Sequence, residues 1–443
     1  MALAETQPTP AASDESRALL TPAVFWGLAI AVTGTLLVWR RPDAVFHAQF
    51  WAEDGVVWYA DAYNNGAWRA LLFARDGYLQ LLPRLAAAAA LWVPLLRAPL
   101  VMNLIALAIE SLPPLFLVSS RMRNLGPLGL RCGLALLYLF VPDSSEVHAI
   151  ITDSQWNLAL LVFLVLIAEA PQSRAGQVFD VVVLALCALS GPFCVFLLPV
   201  VLVRTLGSVL LRSTSPELKQ PGQRWHWVQF SLLAAGSVVQ GLTLLTAGDA
   251  RLDTALGASI AKFARIVAGQ IVLPVFRGSN RLDQMANNPA TVTALAFLLT
   301  ILATLAFLYG LLRGSLALRC FILFAGLVLA IALIYPTTEP VPYQWNVFLL
   351  PDVGLRYWYI PKLALMTTLV WLLGRQRPVP IRLLAGVLAC IMVFAMARHW
   401  LYPPFTDFHF ASYVRVFEQL PPGTTFQIRV NPGGVWVMTL VKR

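Results

Sequence analysis

Residues 22–55 read PAVFWGLAIAVTGTLLVWRRPDAVFHAQFWAEDG. The stretch from Pro22 to Trp39 is an apolar run long enough to cross a bilayer. Arg40-Arg41-Pro42 follows it, where a cleaved signal peptide would carry small residues. The last six residues, Phe50 to Gly55, place two adjacent carboxylates in an aromatic frame. We therefore predict a first transmembrane helix that stays in the chain, with a candidate catalytic site directly beyond it.

The acidic doublet Glu53-Asp54 cannot act as the two opposed carboxylates of a glycoside hydrolase, because neighbouring side chains on a chain diverge. At most one of the two faces a substrate. A single carboxylate at a membrane surface suits a general base that removes a proton from an acceptor hydroxyl. The alternative interpretation is a solvated loop or a helix N-cap, since Asp before Gly is common in loops.

The composition predicts an all-α polytopic membrane protein. The chain has 443 residues, of which 58% are hydrophobic and 12% charged, and its mean hydropathy is +0.71. The net charge is +10, but Lys and Arg concentrate in short loops between apolar runs, where membrane orientation explains them better than nucleic acid does. We predict no metal ligands among the cysteines and interpret all five as small buried hydrophobes: Cys132, Cys187, Cys194, Cys320 and Cys390.

Three segments follow from the pattern of apolar and polar residues. Residues 1–20 are predicted to be a disordered cytoplasmic start, 21–402 a transmembrane domain, and 403–443 a small extracytoplasmic tail. In the tail, two β-rich stretches at 425–430 and 435–441 flank Asn431-Pro432-Gly433-Gly434, which predicts a strand hairpin.

The transmembrane domain is predicted to contain about eleven spans. They are residues 22–39, 99–119, 128–142, 153–170, 177–190, 192–211, 226–246, 291–312, 317–335, 358–374 and 381–401. The first outer loop, 43–97, mixes aromatic and charged residues, which predicts interfacial helices, one of them at 57–73. Residues 85–96 are apolar but short, and we interpret them as a half-buried hairpin helix.

This span count places the N-terminus inside and the C-terminus outside. The short inside loops then hold twelve basic residues, which is the pattern expected of cytoplasmic loops: Arg121, Arg123, Arg131, Arg174, Arg212, Lys219, Arg224, Arg313, Arg319, Arg375, Arg377 and Arg382. A full span at 85–96 would move Arg121, Arg123 and Arg131 to the outside. The distribution of charge therefore favours eleven spans.

Further candidate residues lie in the other outer loops and in one span. The turn at 142–156 carries Asp143, Glu146, His148 and Asp153; a wet loop without function is the alternative. Glu110 lies mid-span, and we interpret it as structural, paired with backbone groups that Pro113 and Pro114 free.

Arg356 stands where an aromatic, proline-rich outer segment enters a span. An arginine there costs several kcal/mol unless it is paired or lines a wet cavity. We expect it to contact a phosphate at headgroup depth, with Lys362 as a second cation. The alternative is that Arg356 pairs with Asp352 or with lipid headgroups and only anchors the helix.

With Glu53-Asp54 in the first outer loop and Asp153 in the next, the chain resembles the GT-C superfamily of integral membrane glycosyltransferases. Interfacial helices in the first loop and a small outer tail also match. The resemblance implies transfer of a sugar from a polyprenyl-phosphate donor on the outer side, with Asp54 or Glu53 in the place of the family's catalytic carboxylate. The tail of about forty residues departs from members that carry a large soluble domain, which leaves acceptor recognition undefined.

The function predicted is an inverting glycosyl transfer to an envelope glycan or lipid, in a bacterial inner membrane. Asp54 is the expected base, with Glu53 orienting the acceptor or a bound cation and Asp153 next in line. The expected substrate-binding residues are Arg356, Lys362, His148, Trp51 and Tyr357. The sequence requires no cofactor, and a divalent cation is compatible with it. The alternatives are a transporter or flippase of a lipid-linked saccharide and a noncatalytic scaffold subunit.

The topology is testable with reporter fusions at Arg123, Gln172 and Lys442. We expect inside, inside and outside signals, because the short basic loops should remain in the cytoplasm. An outside signal at Arg123 would overturn the predicted topology and move the acidic doublet to the wrong face.

Overall fold

The computed structural model describes residues 21–210, 223–246, 255–336 and 343–443. The predicted disordered start, residues 1–20, lies outside the described residues. Arg212 and Lys219 also lie outside the described residues. So do residues 247–254 and 337–342, which belong to the outer loops that the predicted spans define at 247–290 and 335–357.

The described residues are mostly helical. The first helices are α1 Pro22–Arg40, α2 Asp43–Phe46, α3 Ala60–Asn65, α4 Ala67–Ala70, α5 Leu81–Ala90, α6 Ala98–Val118, α7 Leu128–Leu139, α8 Ser154–Ile167, α9 Arg174–Ala188 and α10 Phe193–Leu210. The later ones are α11 Gln223–Thr246, α12 Ile260–Ile266, α13 Leu273–Arg277, α14 Pro289–Arg313, α15 Leu316–Ile334, α16 Gln344–Val347, α17 Leu355–Leu372, α18 Val379–Arg398 and α19 Phe410–Gln419. Segments Asp54–Tyr59 and Val267–Val272 are π-helical.

Each of the eleven predicted spans contains a helix, but the count of eleven is not confirmed. Among the described residues, six helices are long and apolar enough to cross a membrane: Pro22–Arg40, Leu95–Val118, Arg224–Thr246, Pro289–Arg313, Leu316–Ile334 and Val379–Arg398. The other predicted spans include α7, α8 and α9, with 12, 14 and 15 residues. These fall short of the roughly 20 residues that a hydrocarbon core requires.

Helix α8 lies at the centre of the fold. All of its residues except Gln155 are buried, as expected of a helix that is apolar on every side. It packs against α6, α9 and α10, while α17 packs against α15 and α18. Both α8 and α17 begin at the same end of the bundle, which carries the candidate site described below.

The first loop, residues 43–97, is helical but not as one continuous element. The helix predicted at 57–73 starts earlier, at Asp54, and breaks at Gly66, where φ is 89°. Only a residue without a Cβ adopts this conformation easily. The short helix predicted near 85–96 is α5, which has ten residues.

The C-terminal hairpin is confirmed. Strands β1 (Thr425–Arg429) and β2 (Val437–Val441) pair antiparallel. The turn between them docks on the first loop through two backbone hydrogen bonds. The backbone N–H of Asn431 donates to the carbonyl oxygen of Phe50 at 3.2 Å, and the backbone carbonyl oxygen of Asn431 accepts the Ala52 N–H. The tail therefore braces the segment that carries the acidic doublet.

The burial predicted for the cysteines holds for Cys187, Cys194 and Cys320, while Cys132 is half-buried. It is wrong for Cys390, which is exposed on α18. That helix buries only four of its residues, Ala385, Met392, Ala395 and Met396, so most of its surface faces away from the protein.

Candidate functional site

The segment Phe50–Gly55 turns sharply before the helix that follows it. Ala52 has a φ of 38°, and the N-terminal turn of the helix brings Gly55 against Phe50. A Cβ on Gly55 would lie 2.9 Å from the Cβ of Phe50, so the close approach requires glycine. This turn points the two carboxylates of the doublet in different directions.

Asp54 points into the protein and joins the first loop to the second loop, which we define as residues 142–153. Its Oδ1 accepts the Thr152 N–H at 3.0 Å and the Thr152 hydroxyl at 2.5 Å, and its Oδ2 accepts the Ile151 N–H at 3.1 Å. Trp58 donates its indole N–H to the same hydroxyl at 2.7 Å. The side chain of Asp54 therefore fixes how the two loops meet.

Two opposing effects act on the ionisation of Asp54. The residue is only 1% exposed, and this burial raises the pKa of its carboxyl from 3.8 to about 7, while the hydrogen bonds from Thr152 and Ile151 act in the other direction. The effect of desolvation on this pKa is thus larger than the opposing effect of the three hydrogen-bond donors. A carboxylate has about four lone-pair positions, of which these donors use three.

Glu53 is half-buried and lies on the Arg356 side of the doublet. Burial raises the pKa of Glu53, and the positive charge of Arg356 opposes that rise. The structure therefore separates the two acids: one is enclosed between the loops, and the other is partly accessible beside a cation.

Arg356 brings carboxylates of the second loop to the start of α17. Its backbone N–H and its Nη1 donate to Glu146 Oε2 at 3.1 and 3.2 Å. Its Nε lies 4.0 Å from Asp153 Oδ1, and 29% of its side chain stays exposed. The partners of Arg356 therefore include acids that are distant in sequence, whereas the only acid considered from the sequence, as an alternative to a phosphate, was Asp352.

A cavity of about 80 Å³ adjoins this cluster. Arg356 lines it together with aromatic residues from several elements: Tyr78, Trp156, Phe193, Phe196, Tyr335 and Tyr357. The lining thus combines one cation with mostly aromatic and aliphatic walls. Its volume is well below the roughly 300 to 1,000 Å³ of small-molecule sites, so it accommodates only the part of a ligand next to Arg356.

Lys362 and His148 lie apart from this cavity, in the packing beneath the second loop. Lys362 is fully buried; its Nζ donates to the carbonyl oxygens of Pro142 and Asp143, and lies 3.9 Å from the Asp143 carboxylate. These contacts hold the second loop against α17. Lys362 does not line the cavity beside Arg356.

The partner of Glu110 is His148, not backbone freed by prolines as the sequence suggested. His148 Nδ1 lies 2.9 Å from Glu110 Oε1, and the Ala149 N–H donates to Glu110 Oε2 at 3.3 Å. Burial lowers the pKa of His148, and Glu110 acts against that decrease. The pair ties the second loop to α6.

The structure brings Glu53, Asp54, Asp153, Arg356 and Tyr357 together at one end of α8 and α17. Trp51 flanks this group and stacks on Phe405 of the tail, with ring centroids 5.0 Å apart. Two residues of this site were not assigned to it from the sequence. Glu146 was noted only as an acid of the turn at 142–156, and Thr152 belongs to no recognisable motif. No group of three or more His, Cys, Asp or Glu suited to a metal ion occurs among the described residues.

Comparisons with known proteins gave the following. No family model matches the chain, and no curated protein matches it. Similar solved structures include the Archaeoglobus fulgidus oligosaccharyltransferase in its apo form, with a TM-score of 0.45 and 12% identity over 90% of this chain. The same enzyme tethered to an acceptor peptide with the NVT sequon gives 0.44 and 11%, also over 90%. The match covers 59% and 58% of those chains.

The ionisation of Asp54 predicts a pH dependence of stability. Because the pKa is about 7 in the folded protein and 3.8 in its ordinary state, the folded form binds one more proton between these values, and stability falls as pH rises from about 4 to 7. The melting temperature in detergent should fall over this window and level off above it. The full effect is at most about 4 kcal/mol.

The Asp54→Asn variant should lack this component of the slope, whatever its absolute stability. Asp283→Asn, which neutralises an acid with a 65% exposed side chain, serves as the matched control and should follow the wild type. Parallel pH curves for wild type and Asp54→Asn would contradict the assignment.

Proposed function

We propose that this protein is a membrane glycosyltransferase. It moves a sugar from a polyprenyl-phosphate donor to an envelope glycan or lipid on the extracytoplasmic face. The observation that carries the proposal is the position of Arg356, a partly exposed cation beside Asp153 and Glu53 at one end of an aromatic cavity. A phosphate matches the Arg356 end of the cavity, and the aromatic walls match the part of the donor next to that phosphate; at about 80 Å³ the cavity takes only that part of the donor.

Arg356 is proposed to hold the donor phosphate. A guanidinium binds two phosphate oxygens at once, which fixes the orientation of the group as well as its charge. Glu146 pairs with Arg356 and keeps the cation in place before the donor arrives. When the phosphate binds, it replaces part of this pairing, and the aromatic walls contact the first isoprene units or the sugar face.

Glu53 is the carboxylate whose geometry best suits a general base. It is partly exposed and within electrostatic range of Arg356, and its raised pKa makes it more basic than an ordinary glutamate. Asp54 is enclosed and accepts three hydrogen bonds from the second loop, which supports a positioning role. The sequence prediction of Asp54 as the base remains open and is tested by the same variants.

The reaction is a single displacement. The acceptor oxygen attacks the anomeric carbon as its proton passes to Glu53, and the bond from that carbon to the phosphate oxygen breaks with the electron pair leaving on the phosphate. A phosphate is a weak base, so the leaving group needs a cation and no general acid. Attack from the face opposite the leaving group inverts the anomeric centre.

The topology enters the proposal as predicted from the sequence. With the N-terminus inside and the C-terminus outside, the site faces the extracytoplasmic side of a bacterial inner membrane. Lys362 and His148 then act through the shape of the second loop. A transporter of a lipid-linked saccharide is the alternative, and it would bind the same donor without consuming it.

The direct test incubates purified protein with a panel of prenyl-phosphate sugars and an acceptor mixture, with Mg²⁺ or with EDTA. Turnover of one donor supports the proposal, and binding without turnover favours a transporter. Glu53→Gln should lower kcat about 10²- to 10⁴-fold, the usual contribution of a general base. Asp54→Asn should lower kcat by a smaller factor. A reversed order would make Asp54 the base, and activity retained in both variants would place the site elsewhere.

Arg356 provides a second test, through donor affinity. Arg356→Lys should weaken donor binding, and Arg356→Ala should weaken it further, by about 2 kcal/mol or more for a lost charge-assisted contact. The control is Glu146→Gln, which neutralises the partner of Arg356. If Arg356 only anchors the second loop, Glu146→Gln will reproduce the loss. Normal donor affinity in monodisperse Arg356→Ala would contradict phosphate binding.

A further inference from the structure

A larger apolar cavity lies at the other end of the bundle. Helices α8 and α17 begin beside Asp153 and Arg356 and end at Ile167 and Leu372. Between α7, α8, α15 and α17 the structure encloses about 320 Å³, lined mainly by leucine and aromatic side chains that include Leu125, Leu134, Phe163, Leu164, Phe321 and Trp371. This volume is within the range of small-molecule sites, about 300 to 1,000 Å³.

The end of this cavity nearest the surface of the protein is polar. A neighbouring cavity of about 180 Å³ shares Leu125, Ile167, Ser315 and Ala317 with it, and adds Asn124 and Arg204 to the lining. The Arg204 guanidinium donates to the carbonyl oxygens of Leu166 and Ala168 where α8 ends. The two volumes thus form one site, with an apolar interior and a cationic, hydrogen-bonding mouth.

The surface around the mouth is basic. Arg319 comes directly after the lining residue Leu318 in the first turn of α15, and it is exposed. The exposed residues Arg123, Arg313 and Arg375 stand at other helix ends on the same side. The acids at this end include Glu169, which is exposed just beyond α8, and Asp180, which is held by a two-point salt bridge to Arg121 at 2.6 and 2.8 Å. The exposed arginines named here outnumber these acids. The local charge therefore attracts an anion.

We propose that this site binds an anionic phospholipid of the surrounding bilayer. One acyl chain occupies the interior between α7, α8, α15 and α17, and the phosphate lies at the mouth near Asn124, Arg204 and Arg319. The apolar interior binds the acyl chain, and the basic mouth favours lipids with a negatively charged headgroup. The interior of the site reaches Leu363 on α17, seven residues or about 10 Å of helix from Arg356, and its mouth lies beside the opposite end of that helix.

The test measures lipid binding to the purified full-length protein by native mass spectrometry, so it does not depend on any enzymatic activity. Phosphatidylglycerol and phosphatidylcholine with identical acyl chains are titrated in parallel, with inorganic phosphate as a competitor. We expect one tightly held phosphatidylglycerol per chain and a preference of about tenfold over phosphatidylcholine. Equal retention of both lipids, or displacement by millimolar phosphate alone, would overturn the proposal.

Matched variants locate the site. Ala317→Trp fills the mouth and should abolish the tight binding, whereas Ala175→Trp, at an exposed alanine of α9, should leave it unchanged. Arg319→Gln should weaken phosphatidylglycerol binding about fivefold, the effect of one arginine near an anionic surface, and Arg174→Gln should not. If Ala317→Trp is not monodisperse, Leu134→Trp replaces it. Wild-type binding in a monodisperse filled variant would exclude this cavity.

Discussion

The carboxylate of Asp54 is the constraint on which the site depends. It receives two backbone N–H groups and a hydroxyl from residues 151 and 152, in a position almost closed to solvent. Backbone donors in such an environment need partners, since an unpaired buried group costs about 1 to 3 kcal/mol. Without this carboxylate the turn before α8 would have to rearrange. Asp153 and Glu146 belong to the same loop, so their distances to Arg356 follow from this contact.

Two further buried contacts hold the second loop from other sides. Glu110 of α6 is hydrogen-bonded to His148, whose burial disfavours the charged imidazolium, and Lys362 of α17 contacts the carboxylate and the carbonyl oxygen of Asp143. Buried pairs of this kind add little to net stability, because desolvation offsets most of the attraction, but removing one partner is strongly destabilising. Their value here is positional: three elements distant in sequence fix one short loop, and thereby the acids that face Arg356.

The sequence predicts local features well and long-range pairing poorly. Apolar runs gave the positions of the long helices, and the Asn431-Pro432-Gly433-Gly434 turn gave the hairpin, because each signal lies within a few residues. The partners of Glu110 and Arg356 lie 38 and 210 residues away, where no periodicity reports on contact. The count of eleven spans is not confirmed, because apolarity alone does not reveal that α8 is surrounded by protein.

The length of α8 has a consequence for where chemistry takes place. Its 14 residues extend about 21 Å, whereas α14, with 25 residues, extends about 37 Å. Hydrocarbon is about 30 Å thick, so a buried central helix this short does not cross it alone, and the buried second loop, which packs at its start, occupies part of the remaining depth. Polar groups and irregular backbone are tolerated at such depth only when protein or water surrounds them. Under the proposed function, a donor held by its lipid tail would therefore approach the second loop sideways from the bilayer, while a water-soluble acceptor would approach it from above.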